Sequence, residues 1–368
     1  MHASLPSAPP LSGGSPLFAA LRASTPHLEW RVPAAADASR WRQQRIGARD
    51  YRVAQPVTFT PYASVRPCSA RCRFCSETLR PLAGGTAAAS LRPPPDYFAQ
   101  LRQALAQLRG LPLSHSLSGL EMTDDEAWFV ELLRTLDAAE REGLLVEQRV
   151  LYSNGAGFAR GHGDALLQAL QRFGLSWIEL SRHHPQQARN DAIMRFRPGE
   201  AIADAEVFVA TAQRIAEALP LRLVCILQHG GIADADGVAA YLDWARACGA
   251  RTVIFREFSR LGDGYRDGGT ARYLTQARVA VEQVLGACMA APWWRELQPL
   301  QITEGYYFWN LRLATADGME VVFETSDYGA MHARHDSGDI YKLVFFADGR
   351  LCAGWQPDRD LLWRASHG

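Results

Sequence analysis

Lysine is nearly missing from this chain. Lys342 is the only one, and the other basic side chains are arginines. With so many alanines, that bias reads as codon usage rather than function. Net charge is missing too: Lys+Arg and Asp+Glu both number 39, for a formal net charge of +0. No basic field awaits a phosphate backbone, which weighs against non-specific nucleic-acid binding. No apolar run reaches membrane-spanning length, and the N-terminus lacks the basic-then-apolar order of a signal peptide. Cysteine is sparse, at 7 in 368 residues. Free thiols, three of them clustered, fit a reducing cytosol better than a disulfide framework, so a cytoplasmic protein with no membrane partner is expected. What remains is the composition of a soluble globular protein, 48% hydrophobic and 21% charged, with ample core for one large domain or two.

The clustered cysteines lie in Pro67-Cys68-Ser69-Ala70-Arg71-Cys72-Arg73-Phe74-Cys75, at C-x3-C-x2-C spacing. With 7 cysteines in 368 residues this spacing arises by chance roughly 0.003 times per chain. Thiolates are soft ligands that suit iron–sulfur clusters, zinc or copper(I). A [4Fe–4S] cluster normally takes a cysteine on every iron, so three thiolates leave one iron open to another ligand. The competing reading is a structural zinc site, which needs a fourth protein ligand. No nearby cysteine supplies one, and His115 lies well downstream in an apolar stretch.

Cys68-x3-Cys72-x-Phe74-Cys75 resembles the cluster loop of the radical S-adenosylmethionine (SAM) enzymes. The resemblance implies that Cys68, Cys72 and Cys75 bind a [4Fe–4S] cluster whose open iron chelates the amino and carboxylate groups of SAM. One electron then cleaves the sulfonium, giving methionine and a 5′-deoxyadenosyl radical that abstracts hydrogen from a substrate. It further implies an oxygen-sensitive enzyme and an electron donor of the flavodoxin or ferredoxin type. Phe74 reads either as a packed aromatic or, as in the family, as a neighbour of the adenine.

Along the chain, Met1 to about Pro16 is rich in Pro, Ser and Gly and reads as disordered. A short helix and a strap follow to Tyr51. Strand patterns run over Pro56–Thr60, 115–121, Gln148–Ser153, Leu175–Ser181, Leu221–Gln228 and Arg251–Phe255. Helical patterns separate them: Asp96–Leu108, a capped helix from Thr123 through Leu136, Gly163–Phe173, Ala205–Leu219 and Asp236–Cys248. Such alternation implies a parallel sheet with right-handed crossovers and ligands at the carboxyl ends of the strands. The expected fold is therefore α/β: a partial (β/α)6 barrel with a small C-terminal antiparallel β extension. Its expected parts are an N-terminal segment, 1–50, the barrel, 51–262, and a C-terminal lid or substrate wall, 263–368.

Further motifs fall at the strand ends. Gly119-Leu120-Glu121-Met122 resembles the family's Gly-Gly-Glu-Pro segment, departing from it at Leu120 and Met122. By that resemblance Gly119 and Glu121 accept hydrogen bonds from the SAM ammonium. Ser153-Asn154-Gly155 resembles the family's Thr-Asn-Gly strand end, although Asn-Gly alone is an ordinary turn signal. By position Ser153 would face the ribose or carboxylate. Ser181, Asn190 and Arg195 are candidates for the ribose and methionine carboxylate, since the arginine fork suits a carboxylate. Gln228 closes the fifth strand and joins the candidate SAM contacts. His183 and His184 read as a polar loop rather than a metal site.

After Leu261 one further helix is expected over Ala271–Met289. Hairpins with Asp317-Gly318 and Asp348-Gly349 turns follow. The segment from Tyr341 to Cys352 resembles the branch that holds molybdenum-cofactor GTP cyclase and peptide-modifying enzymes. Those enzymes carry extra clusters there, whereas this chain has a single cysteine in the hairpin, so one cluster is expected. Tyr306, Tyr307, Phe308, Trp309 and Trp355 are either pocket lining or core. The substrate class left by this reading is a peptide or a small metabolite. The alternatives are a nucleotide or cofactor-precursor rearrangement by the same chemistry, and a non-catalytic iron–sulfur or zinc protein.

Overall fold

A computed structural model describes residues 16–25, 27–31, 38–80, 87–261, 268–305, 307–332 and 338–365. The chain begins with α1 (Pro16–Ser24), β1 (Glu29–Arg31), β2 (Trp41–Ile46), β3 (Arg49–Tyr62), α2 (Ala87–Ser90) and α3 (Tyr97–Ala106). It continues through β4 (Leu113–Leu117), α4 (Glu126–Arg141), β5 (Val146–Ser153), α5 (Gly163–Arg172), β6 (Trp177–Ser181), α6 (Gln187–Met194) and α7 (Ala205–Ala218). Then come β7 (Leu221–Ile226), α8 (Ala235–Ala247), β8 (Thr252–Arg256), α9 (Gly269–Ala277) and α10 (Val281–Ala290). The last elements are β9 (Gln298–Glu304), β10 (Phe308–Ala314), β11 (Glu320–Ser326), α11 (Tyr328–His332), β12 (Asp339–Phe346), β13 (Arg350–Cys352) and β14 (Leu361–Arg364).

Strands β3 to β8 pair in chain order and every pair is parallel. This is the partial (β/α)6 barrel expected from the sequence, with antiparallel strands at its C-terminal end. β6, β7 and β8 are short, mainly apolar runs, as strands covered on both faces read. Leu117, Leu151, Ile178, Leu180, Leu223, Val253 and Phe255 are all fully buried, each contributing about 1.5–3 kcal/mol relative to exposure. Aspartates at the loop ends start the crossover helices by accepting otherwise unpaired N–H groups. Asp125 takes the Trp128 amide at 3.1 Å, Asp204 the Glu206 and Val207 amides at 2.9 and 3.0 Å, and Asp234 the Gly237 amide at 2.8 Å.

Three details differ from the sequence reading. The first strand is far longer than Pro56–Thr60, and its start folds back on β2 through Gly47, whose φ is +61°. β2 is polar and mostly exposed, so it carries no apolar alternation to read. The expected helix over Ala271–Met289 is two helices, broken at Arg278-Val279-Ala280. There the Arg278 guanidinium donates to Glu257, at 2.8 Å, and to the Phe258 carbonyl, at 2.6 Å, while Glu257 accepts the Val281 amide at 3.1 Å.

The C-terminal strands, finally, divide between the two edges of the barrel. β11 lies parallel on β8 and carries β10 and β9 antiparallel beyond it; β12 lies parallel on β3 and carries β13 and β14 antiparallel beyond it. The boundary expected after residue 50 falls inside β3, and the one at 262–263 lies outside the described residues. Among the described residues no helix is long and apolar enough to cross a membrane.

Candidate active site

A cavity of about 360 Å³ opens where the carboxyl ends of the parallel strands converge. Each strand sends residues to it from its end: Tyr62 from β3, Ser118 and Gly119 after β4, Tyr152 and Ser153 from β5, Ser181 from β6, Ile226 from β7 and Arg256 from β8. Cys68, Cys72 and Cys75 line the same cavity. In parallel βα architectures this is the end at which loops bring chemistry together.

The cysteine loop is pinned along its length. The Arg71 and Arg73 amides donate to the carbonyls of Met194 and Ile193 at 3.1 and 3.0 Å, and the Arg197 amide donates to the Ser69 carbonyl at 2.8 Å. The end of α6 therefore runs beside the loop and fixes it. From the other side Asp124 accepts the Ser69 amide at 2.7 Å, and Asn154 Nδ2 donates to Ser69 Oγ at 2.9 Å. Asn154 Nδ2 also stands 3.6 Å from Cys68 Sγ. Burial pushes all three thiols up from their ordinary range, so thiolates there call for a cationic partner. Among the described residues no three His, Cys, Asp or Glu side chains gather as they would around one metal ion. A cubane asks less, because each of its irons takes its own thiolate. Three soft donors on the cavity wall, with no fourth cysteine among the described lining residues, fit a cluster with an open iron better than a closed zinc site.

Phe74, Gly119, Glu121, Ser153 and Ser181 all line the cavity with the cysteines, whereas Asn190, Arg195 and Gln228 do not. Asn190 is fully buried and accepts the His183 amide at 3.0 Å. Arg195 is exposed and caps α6 in a left-handed conformation, φ 51°. Gln228 is fully buried, accepting the Tyr273 hydroxyl at 2.6 Å and donating to the Ile226 carbonyl at 3.2 Å. Leu120, where the sequence departs from a glycine pattern, keeps a left-handed backbone, φ 52°. Gly119 beside it has φ 127° and lies so near Tyr62 that a Cβ would stand 3.0 Å from the ring.

Glu121 is a buried strut between two strand ends. Its Oε1 accepts from Thr123 Oγ1 at 2.6 Å, Ser153 Oγ at 2.9 Å and the Thr123 amide at 3.3 Å, and its Oε2 accepts the Asn154 amide at 2.6 Å. Burial and the neighbouring Asp124 push its carboxyl up to about 7. His183 is likewise buried, its Nδ1 accepting the Ile226 amide at 3.1 Å, and burial pulls it down to about 3. Its neutral ring meets Phe74 edge-on at 4.8 Å.

Several lining residues escaped the sequence reading. Arg256, at the end of β8, is held by Glu324 and by Glu179, the latter at 3.3 Å. Its place at the sixth strand end was the available signal. Arg80, from the segment after the cysteine loop, and Tyr328, from the start of α11, reach the cavity from places that gave none. Of the C-terminal aromatics, Trp355 lines the cavity and Trp309 is core, meeting Phe18 edge-on at 4.7 Å. Tyr307 stacks on Tyr328 at 6.1 Å, Phe308 meets Tyr307 edge-on at 5.2 Å, and Tyr306 lies outside the described residues. The other four cysteines are buried. Cys288 sits in the main core and Cys352 in a separate cluster with Tyr62, Leu91 and Phe346.

The fold and site together define a parallel βα barrel with a three-thiol cavity at its strand ends. No model of a known protein family and no curated protein matches the chain. Among solved structures it is similar to SuiB of Streptococcus suis bound to the precursor peptide SuiA, with 13% identity and a TM-score of 0.49 over 81% of this chain and 59% of that one. It is similar to anSMEcpe with bound AdoMet, with 12% identity and a TM-score of 0.41 over 54% and 50% of the two chains. It is also similar to coproporphyrinogen III oxidase (HemN) from Escherichia coli, described as a radical SAM enzyme, with 12% identity and a TM-score of 0.43 over 70% and 66%. The chain thus spans about 59% of the length of SuiB. At such identities and scores these likenesses carry no weight beyond the architecture already seen in the strands.

Proposed function

We propose that this chain is a radical SAM enzyme of the cytoplasm, with its reaction centre in the strand-end cavity. The observation that carries the reading is the convergence of Cys68, Cys72 and Cys75 on the cavity that also receives Gly119, Glu121, Ser153 and Ser181. Cys68, Cys72 and Cys75 would hold a [4Fe–4S] cluster, which when bound supplies the electron that splits SAM into methionine and a 5′-deoxyadenosyl radical. Glu121 keeps a lone pair on Oε2 beyond its bond to Asn154, and an ammonium drawn to it would also return the carboxyl to its charged form. Ser153 and Ser181 offer hydroxyls to the ribose, and Phe74 a ring edge to the adenine. Asn190, Arg195 and Gln228 support these walls from outside the cavity.

The substrate is a peptide or small metabolite, and a flavodoxin- or ferredoxin-type protein delivers the electron. Residues 51–262 form the reacting barrel and 263–368 the wall that shields a radical from water and oxygen. Anaerobic reconstitution, followed by SAM and reductant, tests the reading. Product analysis should find 5′-deoxyadenosine, with about four irons per chain. Alanine at Cys68, Cys72 or Cys75 should abolish both the product and the brown colour. SAM cleavage retained by purified Cys72→Ala would sink the proposal, and near eight irons per chain would place a second cluster in it.

A further inference from the structure

Among the described residues, one side of the cavity gathers buried hydrogen-bond donors with nothing to donate to. Arg80 Nε and Nη1, the Tyr62 hydroxyl and Trp355 Nε1 are all buried without a partner, and all three residues line the cavity. A buried unpaired donor costs about 1–3 kcal/mol, and native folds rarely leave one; four together mark a place where an acceptor belongs. Positive charge accompanies them. The Arg80 guanidinium stands 4.9 Å from the Tyr62 ring centroid and 4.3 Å from that of Trp355, and Lys342 Nζ lies 4.4 Å from the Trp355 centroid. The other arginine on the cavity wall, Arg256, is taken by Glu179 and Glu324. Among the described residues, the carboxylate paired with Arg80 is that of Glu77, at 3.8 Å from Nη2.

We propose that Tyr62, Arg80 and Trp355, with Lys342 against the Trp355 ring outside the cavity lining, form an oxyanion subsite that receives a carboxylate of the substrate. Arg80 and Lys342 carry at most two positive charges against the one carboxylate of Glu77, so the excess is about one at most, which suits a carboxylate better than a phosphate dianion. Burial and the nearby guanidinium pull Lys342 down to about 7, a deficit that a bound anion would relieve. The subsite belongs to β3, β12 and the segments beyond Cys75 and β13. The hydroxyls and acid assigned to SAM stand instead at the ends of β4, β5 and β6. Assignment to substrate rather than cofactor rests on the function proposed above.

Because Lys342 is the only lysine, full-length chain grown with lysine labelled at Cε gives one lysine side-chain signal. That signal is followed while acetyl-Gly-Glu-Gly-amide, its Gln counterpart, inorganic phosphate or SAM is added, with the chain as purified and after anaerobic reconstitution. The glutamyl peptide should move the signal saturably and the Gln peptide should not. Arg80→Gln should weaken the titration at least tenfold. Trp355→Phe, which keeps a ring but loses the donor, should weaken it severalfold and carries the test if Arg80→Gln fails to fold. No saturable movement, or equal movement with both peptides, overturns the subsite. Tighter binding of phosphate overturns its preference for carboxylate. Displacement of the glutamyl peptide by SAM hands the subsite to the cofactor's own carboxylate and overturns the assignment to substrate. A chain that binds the peptide but never cleaves SAM refutes the function proposed above and leaves the subsite standing, while the opposite result does the reverse.

Discussion

Glu121 concentrates the chemistry of the site in one side chain. It holds together the ends of β4 and β5, and its carboxyl stands near 7 rather than at the ordinary 4.5. The folded state therefore keeps a proton that the unfolded chain releases between those values. The stability this confers is whole below about pH 4.5 and is lost as the pH rises through about 7, a change of about 3 kcal/mol. Glu121→Gln, neutral at every pH, should melt with a flatter pH profile over that window; parallel profiles for the two proteins would refute the shifted carboxyl. Two positions away, Gly119 combines φ 127° with a close approach to the Tyr62 ring. Gly119→Ala should lose about 2 kcal/mol by denaturant unfolding, because both the backbone and the ring must give way. Leu120 already bears such a left-handed conformation, at a cost of about 1 kcal/mol. That strain sits on the turn that presents Glu121.

At the scale of elements, the six barrel strands were legible because helical patterns separate them and the motifs fell at their ends, although β3 runs far beyond its legible part. Gly119, Ser153 and Ser181, which line the cavity from those ends, were legible for the same reason, whereas Tyr62, Tyr152, Ile226 and Arg256, at the ends of the same strands, carried no motif. β2 was not, since a mostly exposed polar strand has no periodicity to betray it. Nor was the break between α9 and α10, because it depends on Arg278 meeting Glu257 across a loop rather than on a local breaker. That pair is testable. Glu257 is 2% exposed and Arg278 its nearest cation, at 2.8 Å. Arg278→Ala should leave the buried carboxylate with only the more distant Arg260, at 4.0 Å, and cost about 3 kcal/mol in a denaturant titration, whereas a loss near zero would mean that the helix break has another cause. Arg80 and Trp355 meet across 275 residues of chain (355 − 80), a kind of contact that no sequence window contains.

For the whole molecule, the C-terminal third works as a clamp: its two inner strands run parallel to β8 and β3 and cover both edges of the barrel. An uncovered strand edge invites pairing between molecules. A chain ending after Asp327 keeps β11 on β8 but strips β12 from β3. It should elute as aggregate in gel filtration while the full chain does not; a monodisperse truncated protein would show that β12 is dispensable as an edge cover.

The pairing of β12 with β3 also sets a clock. From the end of β3 at Tyr62 to the start of β12 at Asp339, 277 residues must be made (339 − 62). At the usual pace of synthesis that takes roughly 15–55 s. Throughout, the oldest strand of the barrel has one side unpaired, and the cysteine loop hangs from its end. The ribosome thus delivers the outer partner of the first barrel strand long after the strand itself, and this edge of the barrel is covered only once β12 has been made.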